Sequence, residues 1–310
     1  MVSRGQESSE GVARRLYIGV GSSYILAINP SKAELEKLTG RTLDKDPEYL
    51  GSVEVDGNTI PQVRLDFIAK PDPEKYLDSQ NQPIDTLIHV SLFLRKQYKF
   101  GSKSGKYQII DKYGRTAWAS TDDIKEKRIP VYDTKDGGKM QANISPDYIL
   151  AYEGLEELTK LIRAYLNIPT VEKWENGKVA GLIDNPAEAE VIPDHIEDYF
   201  KGDFSELKEI FGYQPKNKVK IAYGVRTTDD NKQYQAAYTR MFLKNNISDY
   251  SKLDKEIASV KASGGLQSTE FECTEFHDYS VTPSNLGAAQ PSVGIPSTTP
   301  WGDVMPQPSF

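Results

Sequence analysis

Between Phe93 and Trp118 the chain interleaves cations with aromatic rings. Arg95, Lys96, Lys99, Lys103, Lys106, Lys112 and Arg115 stand against a single acid, Asp111, with Phe93, Tyr98, Phe100, Tyr107, Tyr113 and Trp118 threaded among them. Cations along an extended chain neutralise phosphates, and flat rings between them offer faces to unstacked bases. The plain alternative is an amphipathic hairpin with solvated lysines and core aromatics. Strand alternation puts Arg95 and Lys99 on the face of Phe93, opposite the apolar stripe of Ile88, Val90, Leu92 and Leu94. That pattern favours an exposed sheet face carrying charge and rings.

A second basic set follows at Lys216, Lys218, Lys220, Arg226, Lys232, Arg240 and Lys244, with Tyr213, Tyr223, Tyr234 and Tyr238 among them and only Asp229 and Asp230 against them. Alone it reads as a solvated face; with the first it is expected to wall one groove. The expected phosphate contacts are Arg95, Lys99, Lys103, Lys106, Lys112 and Arg115, supported by Lys218, Lys220 and Arg226. The stacking candidates are Phe93, Tyr98, Tyr107, Tyr113 and Trp118, some of which must serve the core.

Other chemistries find little support. Gly101-Ser-Lys-Ser-Gly105-Lys106 misses phosphate-loop spacing by one residue, and Tyr107 stands where Ser or Thr would hold magnesium. Gly19-Val-Gly21 lacks a third glycine and a suitable following helix, so no dinucleotide site is expected. His89, His195 and His277 are far apart, with no second ligand at metal-binding spacing. Asp184, Glu188, Glu190, Asp194 and Glu197 could be imagined as a two-metal nuclease, but acids in a polar loop are ordinarily solvated. Cys273 lies among acids, with no activating cation. No enzyme activity and no cofactor are expected.

The elements that must position these residues are mostly strands. Tyr17–Asn29 reads as a strand bending at Gly19–Gly21. Ser31 and Glu34 have capping-box spacing for a short helix ending before Gly40. Val63, Leu65 and Phe67 alternate with Gln62, Arg64 and Asp66, which predicts a half-buried strand. A strand from Thr86 to Phe100 would span roughly 50 Å at ~3.3 Å per residue, so a curled or bulged course, of the sort that closes a small barrel, is expected. Gly101–Gly105 is a turn, Tyr107–Asp111 the returning strand, and Lys112-Tyr113-Gly114 turns into Arg115–Ala119. Leu155, Leu158, Leu161, Ile162 and Tyr165 mark a helix stopped by Pro169. A short helix at about Phe204–Phe211, a hairpin of Val219–Val225 with Tyr234–Leu243, and a last helix around Leu253–Val260 complete the body.

All 38 Lys and Arg lie in residues 1–261, against 40 acids, for a net −2, while the final 49 residues carry −5. Such asymmetry hints at nucleic-acid work or an interaction tail. One cysteine excludes an internal disulfide and fits a reducing cytoplasm. No signal-peptide run and no stretch near the ~20 apolar residues of a membrane span is present, so a soluble protein is expected. The boundaries read as a flexible arm at 1–16, a body at 17–262 and a tail at 263–310. The tail's Ser, Pro, Gly, Thr and Ala predict disorder, and Trp301, Asp303 and Phe310 mark a tip that a partner protein could capture.

The run Ile109-Ile-Asp-Lys-Tyr-Gly-Arg-Thr-Ala-Trp118, with Ala151-Tyr-Glu-Gly-Leu-Glu-Glu-Leu158 and Arg163-Ala-Tyr-Leu-Asn-Ile-Pro169, resembles the single-stranded DNA-binding proteins of large tailed bacteriophages, including the crAss-like phages. Ala27-Ile-Asn-Pro30 and Glu34-Leu35 add to the likeness, which spans residues 17–245. The resemblance implies an α+β, β-rich fold with an OB-type small barrel core, helical insertions and a C-terminal tail. It also implies sequence-independent binding of single-stranded DNA in phage replication or recombination, in the cytoplasm of the infected cell, with tail-borne contacts to a polymerase or helicase. The tail departs from the familiar bacterial pattern, because its acids lie at Glu270–Asp278 rather than beside the terminal Phe310. The rival expectation is a structural or packaged virion protein without nucleic-acid binding; a nuclease using Asp184–Glu197 is weaker still.

Overall fold

The computed structural model describes residues 15–78, 80–168, 170–175, 178–184, 190–212 and 217–279. Strand β1 (Tyr17–Ile28) leads to helix α1 (Lys32–Thr39), then to the hairpin of β2 (Leu50–Val55) and β3 (Asn58–Pro71), beside which β4 (Ile88–Tyr98) runs antiparallel. A small module follows: β5 (Phe100–Gly101), β6 (Lys106–Asp111), β7 (Thr116–Ala119), α2 (Thr121–Lys125), the hairpin β8 (Val131–Asp133) and β9 (Lys139–Gln141), and β10 (Tyr148–Leu150). Next come β11 (Tyr152–Glu153), α3 (Leu155–Tyr165), the hairpin β12 (Thr170–Glu175) and β13 (Lys178–Asp184), α4 (Ile196–Tyr199) and α5 (Ser205–Phe211). Last are β14 (Val219–Thr227), β15 (Gln233–Ala237), β16 (Leu243–Lys244), α6 (Ser251–Ala262), β17 (Thr269–Phe271) and β18 (His277–Asp278).

The fold is α+β and strand-rich, built on a ten-stranded sheet that curls into a half-barrel. Its path is β11-β4-β3-β1-β14-β15, with β2 on β3, β16 and β17 on β14, and β18 on β1. Register shifts at Ile25/Ala27 and at Tyr152/Glu153 supply local bends. The main core fills one side: Val63, Leu65, Phe67, Val90, Leu92 and Leu94 pack against Leu155, Leu158, Leu161, Ile162 and Tyr165 of α3. Each fully buried aliphatic here contributes about 1.5–3 kcal/mol. Among the described residues, no helix is long and apolar enough to cross a membrane.

Local chemistry sets several boundaries where the sequence places them. Ser31 and Glu34 form the capping box of α1, and Gly40 closes it in the left-handed region. Asp203 accepts the Ser205 amide at 2.9 Å at the start of α5, and Gly212 ends it. Gly154, at φ +90°, precedes α3 because a Cβ there would lie 1.9 Å from the Phe93 carbonyl oxygen.

Other expectations need correction. β3 is buried on both faces rather than half-buried: Gln62, Arg64 and Asp66 are 1%, 6% and 2% exposed. Leu35 of α1 and Leu43 pack on Ile68 and cover the second face, and polar partners replace water there. Asp66 accepts from Ser91 Oγ at 2.9 Å, shares a 2.8 Å contact with His89 Nδ1, and its amide donates to Asn29 Oδ1 at 2.6 Å. Alternation reported polarity; it could not report what lies over the polar side. Burial raises the Asp66 pKa, but His89, Arg64 and Ser91 outweigh it and hold the carboxyl below its usual range.

The body also extends past both expected ends. Arg15 pairs with Asp78 and Leu16 is buried. Beyond Ser263, β17 pairs with β14 and β18 with β1. Between them Phe276 is buried against Tyr17, Tyr76 and Tyr223, at ring centroid distances of 5.3, 5.2 and 5.2 Å. Strands of two and three residues are too short to show a period, so only the fold reveals them. The Trp301, Asp303 and Phe310 tip lies outside the described residues.

The predicted long strand is broken at Lys99. There the backbone makes a closed ring of three hydrogen bonds, each 2.9 Å: Lys99 N–H to Ala151 O, Ala151 N–H to Gln108 O, and Gln108 N–H to Lys99 O. This triangle joins the large sheet to the four-stranded one formed by β5, β6, β7 and β10.

Candidate nucleic-acid interface

Exposure along β4 alternates from Ile88 to Leu94 with the core side buried, then continues with exposed Lys96 and Tyr98 at positions of the same parity. Lys96 and Tyr98 therefore extend the core side beyond the core's edge. Lys99 points the other way, to Glu156, and Phe100 follows in β5 of the four-stranded sheet. Tyr98 stacks on Tyr152 with centroids 4.9 Å apart and planes 17° apart; Phe100 meets Tyr107 at 4.8 Å. Tyr98 and Phe100 remain 41% and 45% exposed. The result is two ring pairs, Tyr152–Tyr98 on the large sheet and Phe100–Tyr107 on the four-stranded one, on either side of the joint at Lys99. Trp118 lies against Gly101.

The cations fall into two groups. Some are held by carboxylates and cannot serve as open phosphate contacts. Arg115 is bound to the fully buried Asp111, through Nε at 2.7 Å, and Asp111 also takes the amides of Tyr113, Arg115 and Ser145. Arg95 donates to Gln62 at 2.9 Å and to Glu153 at 3.1 Å, with its side chain 11% exposed. Lys99 reaches Glu156 at 3.2 Å, where Lys160 and Gln108 also converge. Burial raises the Glu156 pKa, but the two lysines and Gln108 outweigh it and hold it at about 2.

The second group is less enclosed, with Lys103 exposed and Lys106 and Lys112 half-buried. Lys103 sits exposed in the turn, whose Ser104 and Gly105 amides bond back to the Gly101 carbonyl. Lys106 lies over the Tyr132 ring at 5.4 Å. Lys112 pairs with Glu190 at 2.7 Å across a solvent-exposed contact, and with Arg115 it flanks the Tyr113 ring at 5.2 and 5.3 Å. Phe93 is half-buried on the opposite side of β4 from Tyr98. Lys96, Phe100, Tyr152 and Phe200 belong to this surface although they were not among the expected contacts. The parity of the strand beyond Leu94 was the available signal for Lys96; nothing in the sequence places Phe200 against Tyr152.

The second hairpin comes round to the first through β15, which lies against β4, but most of its expected contact residues are engaged elsewhere. Lys220 stands opposite Ser22, and the neighbouring Ser23 opposite Pro71, at the end of the sheet where β3 finishes and β4 begins. Along β4 itself, Tyr98 lies at the strand's other end. Lys220 is also buried, donating to Tyr250 at 2.9 Å and to the Ile247 carbonyl, and burial pushes its pKa down. Lys218 is held by Asp72 at 2.6 Å and lies over the Tyr24 ring; Arg226 is exposed. Of the three supporting cations expected on this hairpin, only Arg226 is exposed.

The tail acids are likewise spent within the body. Glu275 binds Lys75 at 3.0 Å and accepts from Tyr250 at 2.8 Å, while Glu270 accepts from Tyr279 at 2.8 Å. Among the described residues no cluster of His, Cys, Asp and Glu could hold a metal ion. Of the acids considered for a nuclease, Glu190 faces Lys112 and Glu197 faces Lys96 at 2.8 Å; Asp184 and Glu188 have no described side-chain surroundings. Compared with protein families, curated proteins and solved structures, the chain finds no match in any of the three.

Proposed function

We propose that the protein binds single-stranded DNA without regard to sequence, by base stacking on the rings of Tyr98 and Phe100 and by phosphate neutralisation at Lys96, Lys103, Lys106 and Lys112. The exposure of these two aromatic rings, each backed by a second ring, carries this reading. Large exposed rings cost hydration and are uncommon on a surface without a partner. Rings accept any base, because every base has a π-face. The resemblance to phage single-stranded DNA-binding proteins extends the proposal to an OB-type core, a non-enzymatic role in phage replication or recombination, and work in the cytoplasm of the host. The sheet path is open in hydrogen bonds among the described residues, so the OB-type part rests on that resemblance alone.

Titration with oligo(dT) at several salt concentrations tests it. Tyr98→Ala and Phe100→Ala should each weaken binding by ~1–3 kcal/mol per stacked base. Lys103→Ala and Lys106→Ala should each flatten the log–log salt slope by about 0.7. Binding by the wild type that is absent, or indifferent to all four substitutions, overturns the proposal.

One observation favours the virion-protein reading. On the module of residues 100–150, Val131, Met140 and Ile149 are 53%, 57% and 47% exposed, separate apolar side chains open to protein contacts, with Val131 and Met140 on opposite faces of the β8–β9 hairpin. That reading expects stoichiometric presence in particles and no salt-dependent DNA affinity.

A further inference from the structure

The Tyr98–Tyr152 pair ends in a contact whose components match those of a bound nucleotide phosphate. Glu197, on α4, accepts the Lys96 ammonium at 2.8 Å on one oxygen and the Tyr152 hydroxyl on the other. The same ammonium lies 5.8 Å over the Phe200 ring, and Phe200 meets Tyr152 edge-on at 5.8 Å. Tyr98 stacks on Tyr152 immediately beside this carboxylate.

Anchoring α4 does not require Glu197. Ile196 and Tyr199 are buried, and Glu206 accepts the Tyr199 hydroxyl at 2.6 Å, the Asp194 amide at 2.7 Å and the His195 amide at 3.1 Å. The Lys96–Glu197 pair is itself half open, with side chains 45% and 50% exposed. An exposed pair of this kind is weak, so a rotamer change suffices to release it while the helix stays in place.

We propose that Glu197 occupies the position of a phosphodiester group and restrains the binding surface until a strand displaces it. This inference rests on the reading that the exposed rings bind single-stranded DNA. In the exchange a phosphate oxygen takes the Lys96 and Tyr152 donors, the carboxylate swings into water, and the adjacent base stacks on Tyr98. The charge at Lys96 stays balanced throughout, so the contact keeps the free surface neutral without preventing capture.

The test compares oligo(dT) affinity at low salt for the full chain, Glu197→Gln, Glu209→Gln and the double variant Lys96→Ala/Glu197→Gln. Glu209 is exposed on α5 and supplies the same change in net charge. Glu197→Gln is expected to bind about 3- to 5-fold more tightly than Glu209→Gln, as release of one exposed ion pair allows. The double variant should lose that gain. Equal affinities for Glu197→Gln and Glu209→Gln in a chain that binds DNA overturn the inference and leave the proposed function standing. No binding by any of the four overturns both.

Discussion

Glu156 is met from both sides of the joint between the sheets: by Lys99 just past β4, Lys160 of α3 and the Gln108 amide of β6. Its folded pKa, about 2, lies below the unfolded value, so its contribution is fully present above roughly pH 4.5. That contribution, on the order of 2–3 kcal/mol, fades as pH falls toward 2. Urea unfolding between pH 5 and 2 should show a loss of this size, and Glu156→Gln should be destabilised at pH 7 and show a flatter profile. A wild type and a variant with parallel profiles would refute this role for the carboxylate. The sequence made the cations of Phe93–Trp118 visible but not their partners. Glu153, Glu156, Glu190 and Glu197 are distant in the chain, and only folding sets them against Arg95, Lys99, Lys112 and Lys96.

At the scale of elements, the curled sheet depends on close backbone approaches that only glycine allows. A Cβ at Gly154 would lie 1.9 Å from Phe93 O, in a left-handed conformation as well. Gly154→Ala should therefore cost several kcal/mol, of the order seen for strained special positions together with overpacking. It should also reduce ring stacking at Tyr98, because Tyr152 is two residues away on the same strand. Thermal unfolding and near-ultraviolet circular dichroism would report both effects. Gly19 has the same function at the other end, where a Cβ would lie 2.6 Å from the Glu275 carbonyl oxygen. The sequence places a bend at Gly19–Gly21, but pairing with β14 is regular there and the register shift in β1 falls at Ile25/Ala27; the segment that crosses Gly19, more than 250 residues later in the chain, gave no signal.

Taken whole, the molecule closes its core with its C-terminal strands. Phe276→Ala should cost about 3–5 kcal/mol, since three aromatic neighbours lose their packing partner. A chain ending at Ser263 should fail to fold, whereas one ending at Tyr279 should keep the melting temperature of the full chain. Equal stability of the two truncations would contradict the burial seen for Phe276. The amino-acid sequence by itself determined the elements whose signals are local: the capping box of α1, the apolar stripe of α3, the alternation of β3 and β4, and the turns around Gly101–Gly105. It also showed where rings and cations are concentrated. Tertiary structure alone decided that Arg95, Lys96, Lys99, Lys112 and Arg115 are met by carboxylates, that Lys218 and Lys220 are held within the body, and that Tyr98 and Phe100 stay open to solvent. Periodicity is a property of neighbouring residues, whereas exposure and charge balance depend on which distant segments pack against them.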